Sequence, residues 1–122
     1  IHKWNEMRIR NAKIYHSRLN NIKQVQLPAI RPECTHVFHV YSIITKHRDT
    51  LKNYLASKNI NTMLHYPKSL PFLEAYKHLA HTPYEFPQAF QHQNETISLP
   101  MFPEMTLSQI EYVCENFKKV FQ

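Results

Sequence analysis

Asn61-Thr62-Met63-Leu64-His65-Tyr66-Pro67 and, further along, Ser98-Leu99-Pro100-Met101-Phe102-Pro103 are two strand-like runs that each stop abruptly at proline. Proline fixes φ and carries no N–H, so neither run can continue its hydrogen-bond ladder past that point. The last side chains before the first stop are an imidazole and a phenol, His65 and Tyr66, the groups suited to proton transfer and hydrogen bonding at the mouth of a site. Strand ends on a fixed scaffold are where chemistry is presented. On the residues alone, a packed strand-end pair satisfied by backbone groups is an equally good reading of His65 and Tyr66.

Outward from these runs, the apolar pattern predicts the remaining elements. Trp4, Met7, Ala12, Tyr15, Leu19 and Ile22 share a helical face with the basic residues mostly off it, so residues 2–20 are expected as a basic amphipathic helix. After Pro28 and Pro32, residues 35–44 are rich in β-branched and aromatic side chains, with apolar residues on both faces, and read as a central strand. Residues 47–57 read as a second helix, with Asp49 near its start and Asn59 standing in for glycine as a left-handed cap. Short helices are expected within 70–79 and 86–93, and a third strand at 95–99. The clearest element is the last. Thr106-Leu107-Ser108-Gln109 fits a capping box, and Leu107, Ile110, Val113, Cys114, Phe117, Val120 and Phe121 form one apolar stripe. The expected fold class is α+β: a small, mainly antiparallel sheet of about three strands (36–44, 60–66 and 95–99) with helices packed on one face.

Composition narrows the function classes. A chain of 122 residues with 43% hydrophobic and 20% charged residues is sized for a single domain over 1–122. No apolar run approaches the roughly 20 residues that cross a bilayer, and no basic-then-apolar leader opens the sequence. The absence of an opening Met suggests a fragment. The formal charge of +6 is uneven: residues 1–60 carry eleven Lys/Arg against three acids, and residues 61–122 carry four against six. That asymmetry suits an anionic partner without choosing one. Glycine is absent altogether, which excludes the glycine-rich phosphate cradles of P-loop and Rossmann proteins.

The inventory of catalytic groups is thin. Cys34 and Cys114 are far apart and read as free thiols. Among nine histidines, His36 and His39 would point to opposite faces of a strand, and His78 and His81 lack a third ligand, so no metal site is expected. Asp49, the single aspartate, is accounted for by a helix start. Ser98 reads as a strand-end hydrogen-bonder rather than a nucleophile.

The ordered set Val37-Phe38-His39-Val40-Tyr41, Arg48-Asp49-x-Leu51, Ile60-Asn61-Thr62-x-x-His65-Tyr66-Pro67, Ala75-Tyr76 and Ser98-Leu99-Pro100-Met101-x-Pro103, with Trp4-Asn5-Glu6-x-Arg8 ahead of it, resembles one family. It is similar to the C-terminal small domain of the PLP-dependent nucleotide-sugar aminotransferases of the DegT/StrS type, over essentially the whole chain. The resemblance implies a parent enzyme that moves an amino group, usually from glutamate, to a nucleotide-linked keto-sugar in the cytoplasm. It implies a homodimer, and PLP held by a separate catalytic domain whose Schiff-base lysine has no match in this chain. Carried over by position, His65 and Tyr66 would bind the sugar nucleotide, and no catalytic, cofactor-binding or metal-binding residue is expected here. The sequence departs from the family pattern at Ser69 and Pro71, where a proline and a further histidine often stand, and that bears on which sugar is used. The alternative from a different class is a stand-alone basic module for an anionic partner. The lack of a nucleic-acid motif and the core-like placing of the aromatics weigh against nucleic acid as that partner.

Overall fold

In the computed structural model, which describes residues 1–122, the chain runs α1 (His2–Leu19), β1 (Tyr41–Ile44), α2 (Arg48–Ser57), two 3-10 turns (Leu70–Phe72 and Glu74–Leu79), α3 (Pro87–Glu95), β2 (Thr96–Leu99) and α4 (Leu107–Lys119). α1 buries Asn11, Ala12, Tyr15 and Leu19, one face of a 3.6-residue period. α4 starts where its sequence says it should. Thr106 Oγ1 accepts the Gln109 N–H at 3.2 Å, and Gln109 Oε1 accepts the Thr106 N–H at 2.9 Å. Its Ile110, Val113, Cys114 and Phe117 are buried, while Leu107, at the end of the expected stripe, is exposed, as is Trp4 on α1. α2 ends with Asn59 at φ 58°, and the Ile60 and Asn59 N–H groups donate to Leu55 and Ala56 carbonyls at 2.9 and 3.0 Å. This is a Schellman closure with asparagine in the glycine position, completed by the burial of both Ile60 and Leu55.

One hydrophobic cluster joins these elements: Tyr15 and Leu19 from α1, Leu51 and Leu55 from α2, Ile110 and Phe117 from α4, and Tyr41, Ile43, Ile97 and Leu99 from one face of the sheet. Each fully buried aliphatic or aromatic side chain stabilises the fold by about 1.5–3 kcal/mol relative to exposure. Two polar side chains on α1, one turn apart, hold the proline-rich segment after β2. Asn11 Nδ2 donates to the carbonyls of Phe102 (3.0 Å) and Pro103 (3.4 Å), and the Tyr15 hydroxyl donates to that of Pro100 (2.9 Å).

The sheet has two strands, not three. β1 and β2 pair antiparallel with Tyr41 opposite Leu99, Ser42 opposite Ser98 and Ile43 opposite Ile97. The strand expected at 36–44 keeps only its second half, because His36 Nδ1 accepts the Phe38 N–H at 2.9 Å and Phe38 sits at φ 49°. A side chain has taken the backbone donor that a ladder would need. The strand expected at 60–66 is reduced to one bridge, in which Met63 and Ser98 exchange both backbone hydrogen bonds at 3.1 and 2.8 Å. It cannot grow in either direction. The next pairing toward Asn61 would require an N–H from Pro100, and the next toward His65 would require the Thr96 N–H, which already donates to the His92 carbonyl at the end of α3. On its other side, β1 carries a matching single bridge from Ile44 to Gln26.

Candidate functional site

The two faces of the small sheet differ in chemistry. Tyr41, Ile43, Ile97 and Leu99 point into the core, so by strand alternation Ser42, Thr96 and Ser98 point the other way. Over that hydroxyl-bearing face lies the stretch from His65 to Gln93, leaving a cleft of about 880 Å³, within the size range of small-molecule sites. Its walls include His65, Tyr66, Ser69, Leu70, His92 and Gln93.

His65 is fixed by the Met63–Ser98 bridge two residues earlier. Its Nδ1 lies 3.0 Å from Ser98 Oγ, which in turn lies 2.7 Å from Ser42 Oγ. Ser98 uses its backbone N–H and carbonyl on Met63, so its pairing with Ser42 is of the non-hydrogen-bonded kind, in which facing side chains approach most closely. Tyr66 is 79% exposed, with its ring 6.1 Å from that of His65 and nearly perpendicular to it. The structure thus brings His65 and Tyr66 to the rim of one cleft.

Among the residues that build the cleft around them, the sequence marked Ser69 and Pro71 as departures from the family pattern and did not mark Gln93 or Thr96. Ser69 donates its N–H to Gln93 Oε1 (2.9 Å) and its hydroxyl to the Ala89 carbonyl (2.5 Å), tying the wall after Pro67 to α3. Arg48 Nη1 donates to the Gln93 carbonyl at 3.2 Å while its Nε lies against Asp49, bracing α3 from α2. Thr96 Oγ1, in the cleft lining, is buried without a protein partner. The alternation Thr96-Ile97-Ser98-Leu99 was the signal that could have marked the hydroxyl face. The titratable groups displaced by burial belong to the core: the Cys114 thiol is pushed up to about 11, and the Tyr15 and Tyr41 phenols are pushed well above their ordinary range. No three metal-ligating side chains converge anywhere, and no helix is long and apolar enough to cross a membrane.

Both the fold and the sequence have counterparts among known proteins. The chain belongs to the DegT/DnrJ/EryC1/StrS aminotransferase family, which it matches over residues 1–118. It is 32% identical, over its full length, to a pleiotropic regulatory protein of Geobacillus stearothermophilus, covering 33% of that protein. Over 80% of its length it is 32% identical to the dTDP-3-amino-3,6-dideoxy-alpha-D-galactopyranose transaminase of Aneurinibacillus thermoaerophilus, covering 27% of it. The crystal structure of S. venezuelae DesV superposes with a TM-score of 0.92 at 28% identity, over 98% of this chain and 32% of that one. The chain spans about a third of the length of the curated relatives it matches.

The PLP that the family implies does not fit this chain's own residues. Every lysine is at least partly exposed, none standing in the buried core, and Asp49 lies at the surface against Arg48. With no glycine, the chain also lacks the glycine-rich turn in which backbone N–H groups close on a phosphate.

Proposed function

We propose that this chain is the C-terminal small domain, over 1–122, of a PLP-dependent aminotransferase that aminates a nucleotide-linked keto-sugar. PLP and its lysine then lie in the part of the enzyme outside this chain, glutamate is the amino donor, the working form is a cytoplasmic homodimer, and His65 and Tyr66 bind the sugar nucleotide. The observation that carries this reading is the family match over residues 1–118 together with a cleft that has His65 and Tyr66 on its rim. Beside an apolar wall that includes Leu70, Pro71 and Leu73, the cleft presents hydroxyl, imidazole and amide groups, which suit a polyhydroxylated ligand. What this chain supplies is binding and orientation. PLP supplies the electron sink when bound, and the proton-moving lysine is expected with it.

The test is a pair of single-turnover rates in the intact enzyme. His65→Ala should slow the half-reaction with the amino-sugar nucleotide by roughly ten- to a thousandfold, the loss expected for a positioning contact. The half-reaction with glutamate should change much less, because the cofactor is held elsewhere. Equal losses in both would make His65 a structural residue, and no loss in either would remove it from the site.

A further inference from the structure

We infer that Ser98, backed by Ser42, fixes His65 in the tautomer that carries its proton on Nε2, so that His65 meets its ligand as a hydrogen-bond donor to an oxygen atom. The tautomer follows from this chain alone; the role toward a ligand rests on the reading of His65 as a substrate-binding residue.

Three polar atoms stand in a line: His65 Nδ1, Ser98 Oγ at 3.0 Å, and Ser42 Oγ a further 2.7 Å on. Ser98 is 3% exposed and its own backbone groups are occupied by Met63, so its hydroxyl has only these two neighbours to choose between. Each hydroxyl has one proton to place, and the line can run in two directions. If Nδ1 carried the proton, it would donate to Ser98, Ser98 would donate to Ser42, and the Ser42 proton would have no acceptor in the protein. In the opposite direction Ser42 donates to Ser98 and Ser98 donates to a bare Nδ1. Both hydroxyl protons are then placed, Ser42 keeps an unused lone pair, and the donor left without a protein acceptor is the Nε2–H of the exposed His65 ring. Either direction leaves one donor for water to satisfy, and water reaches the exposed ring of His65 more readily than the half-buried Ser42, so the second direction prevails.

The consequence is chemical. With Nδ1 accepting from Ser98, the ring N–H sits on Nε2, which has no hydrogen-bond partner in the protein, on a residue that lines the cleft. A nitrogen bearing a proton is not a base. It recognises an acceptor, which on a nucleotide sugar means a hydroxyl, carbonyl or phosphate oxygen. Ser98 and Ser42 are positioning residues that act through His65, and their placement comes from the close, non-hydrogen-bonded pairing of β1 with β2.

The direct test is the tautomer. In the full chain with 15N-labelled histidine, held well above the ordinary histidine range of about 6.5, long-range 1H–15N spectra separate protonated from bare ring nitrogens. His65 is assigned by its disappearance in His65→Gln. The expected result is a protonated Nε2 and a bare, hydrogen-bonded Nδ1. Ser98→Ala should move both resonances toward those of free imidazole, and Ser42→Ala should move them the same way by less, which serves if Ser98→Ala does not fold. A proton on Nδ1, or resonances that neither serine variant moves, would overturn the inference. In the intact enzyme, His65→Gln keeps an amide N–H near the place of Nε2 and should recover at least tenfold of what His65→Ala loses. Equal losses for Gln and Ala would overturn the donor role. If neither variant changes the rate while the spectra show a protonated Nε2, the reading of the site falls and the tautomer assignment stands.

Discussion

Asn11→Ala should destabilise the chain far more than removing one polar side chain from a helix would suggest. Asn11 is fully buried, and its amide holds the carbonyls of Phe102 and Pro103, in a segment where prolines at 100 and 103 leave few backbone partners. The substitution removes the bonds to those carbonyls, one at 3.0 Å and a weaker one at 3.4 Å, and two that the amide oxygen accepts from the guanidinium of the exposed Arg10 at 3.1 and 3.3 Å, which water can replace, and it leaves a cavity the size of an amide in a helix interface. Lost hydrogen bonds are worth about 1 kcal/mol each, and an unsatisfied partner adds to this, so a total of about 2 kcal/mol is expected. For a chain of this length the unfolding entropy is about 0.26 kcal/mol/K, which converts the loss to a fall in Tm of about 8 °C. Urea titration should show a lower midpoint with an unchanged m-value, as for a change in stability without a change in the states. Asn20→Ala, at an exposed position, is the control and should lie within about 0.5 kcal/mol of the parent. A loss below that size for Asn11→Ala would mean that water satisfies those carbonyls and that Asn11 does not hold the proline-rich segment.

The two cysteines should differ sharply: at neutral pH iodoacetamide should label exposed Cys34 and leave buried Cys114, and equal labelling would contradict the packing of α4. Because burial lifts Cys114 from 9.0 to about 11, the folded chain retains a proton that the unfolded chain releases, so stability is full below pH 9 and falls as pH rises toward 11. Cys114→Ala should flatten that part of the alkaline decline, and an unchanged slope would assign it to Tyr15 and Tyr41 alone. Thr106→Ala should cost about 1 kcal/mol through loss of the cap, while Thr106→Ser should cost little; equal effects in urea titrations would refute the capping box as a contributor. Borohydride reduction of this chain mixed with PLP, followed by peptide mapping, should give scattered partial labelling of surface lysines, whereas stoichiometric labelling at one lysine would refute the placing of the cofactor outside the chain.

The helices were legible because each is written within a few turns of sequence. The spacing of Ala12, Tyr15 and Leu19, the Thr106–Gln109 box and the Asn59 cap are local patterns, and they became α1, α4 and the end of α2. The strands were over-read because pairing depends on groups outside the run. His36 takes the Phe38 N–H, Pro100 has none to give, and the Thr96 N–H is already committed to α3. The cleft was half legible. A proline stop marked His65 and Tyr66, but the role of Ser42 depends on its register opposite a serine 56 residues away, and alternation within one strand does not determine register between two.

The hydrogen bonds that close the molecule join residues very far apart along the chain: Tyr15 to Pro100 across 85 positions, Asn11 to Phe102 across 91 and Arg18 to Glu111 across 93. Such separations slow folding, because the entropy of closing a long loop must be met before any contact offsets it. The isolated helices can flicker in about a microsecond, yet the docking of α1 on α4 and the proline-rich segment waits for a search over most of the polypeptide. On the ribosome the delay has a direction. α1 leaves the ribosome well before α4, and the apolar face that carries Tyr15 and Leu19 has no cover until α4 has followed it. During that interval the chain is at its most vulnerable to aggregation, so the yield of soluble protein in cells should depend on translation speed and chaperone supply more than on the stability of the finished fold.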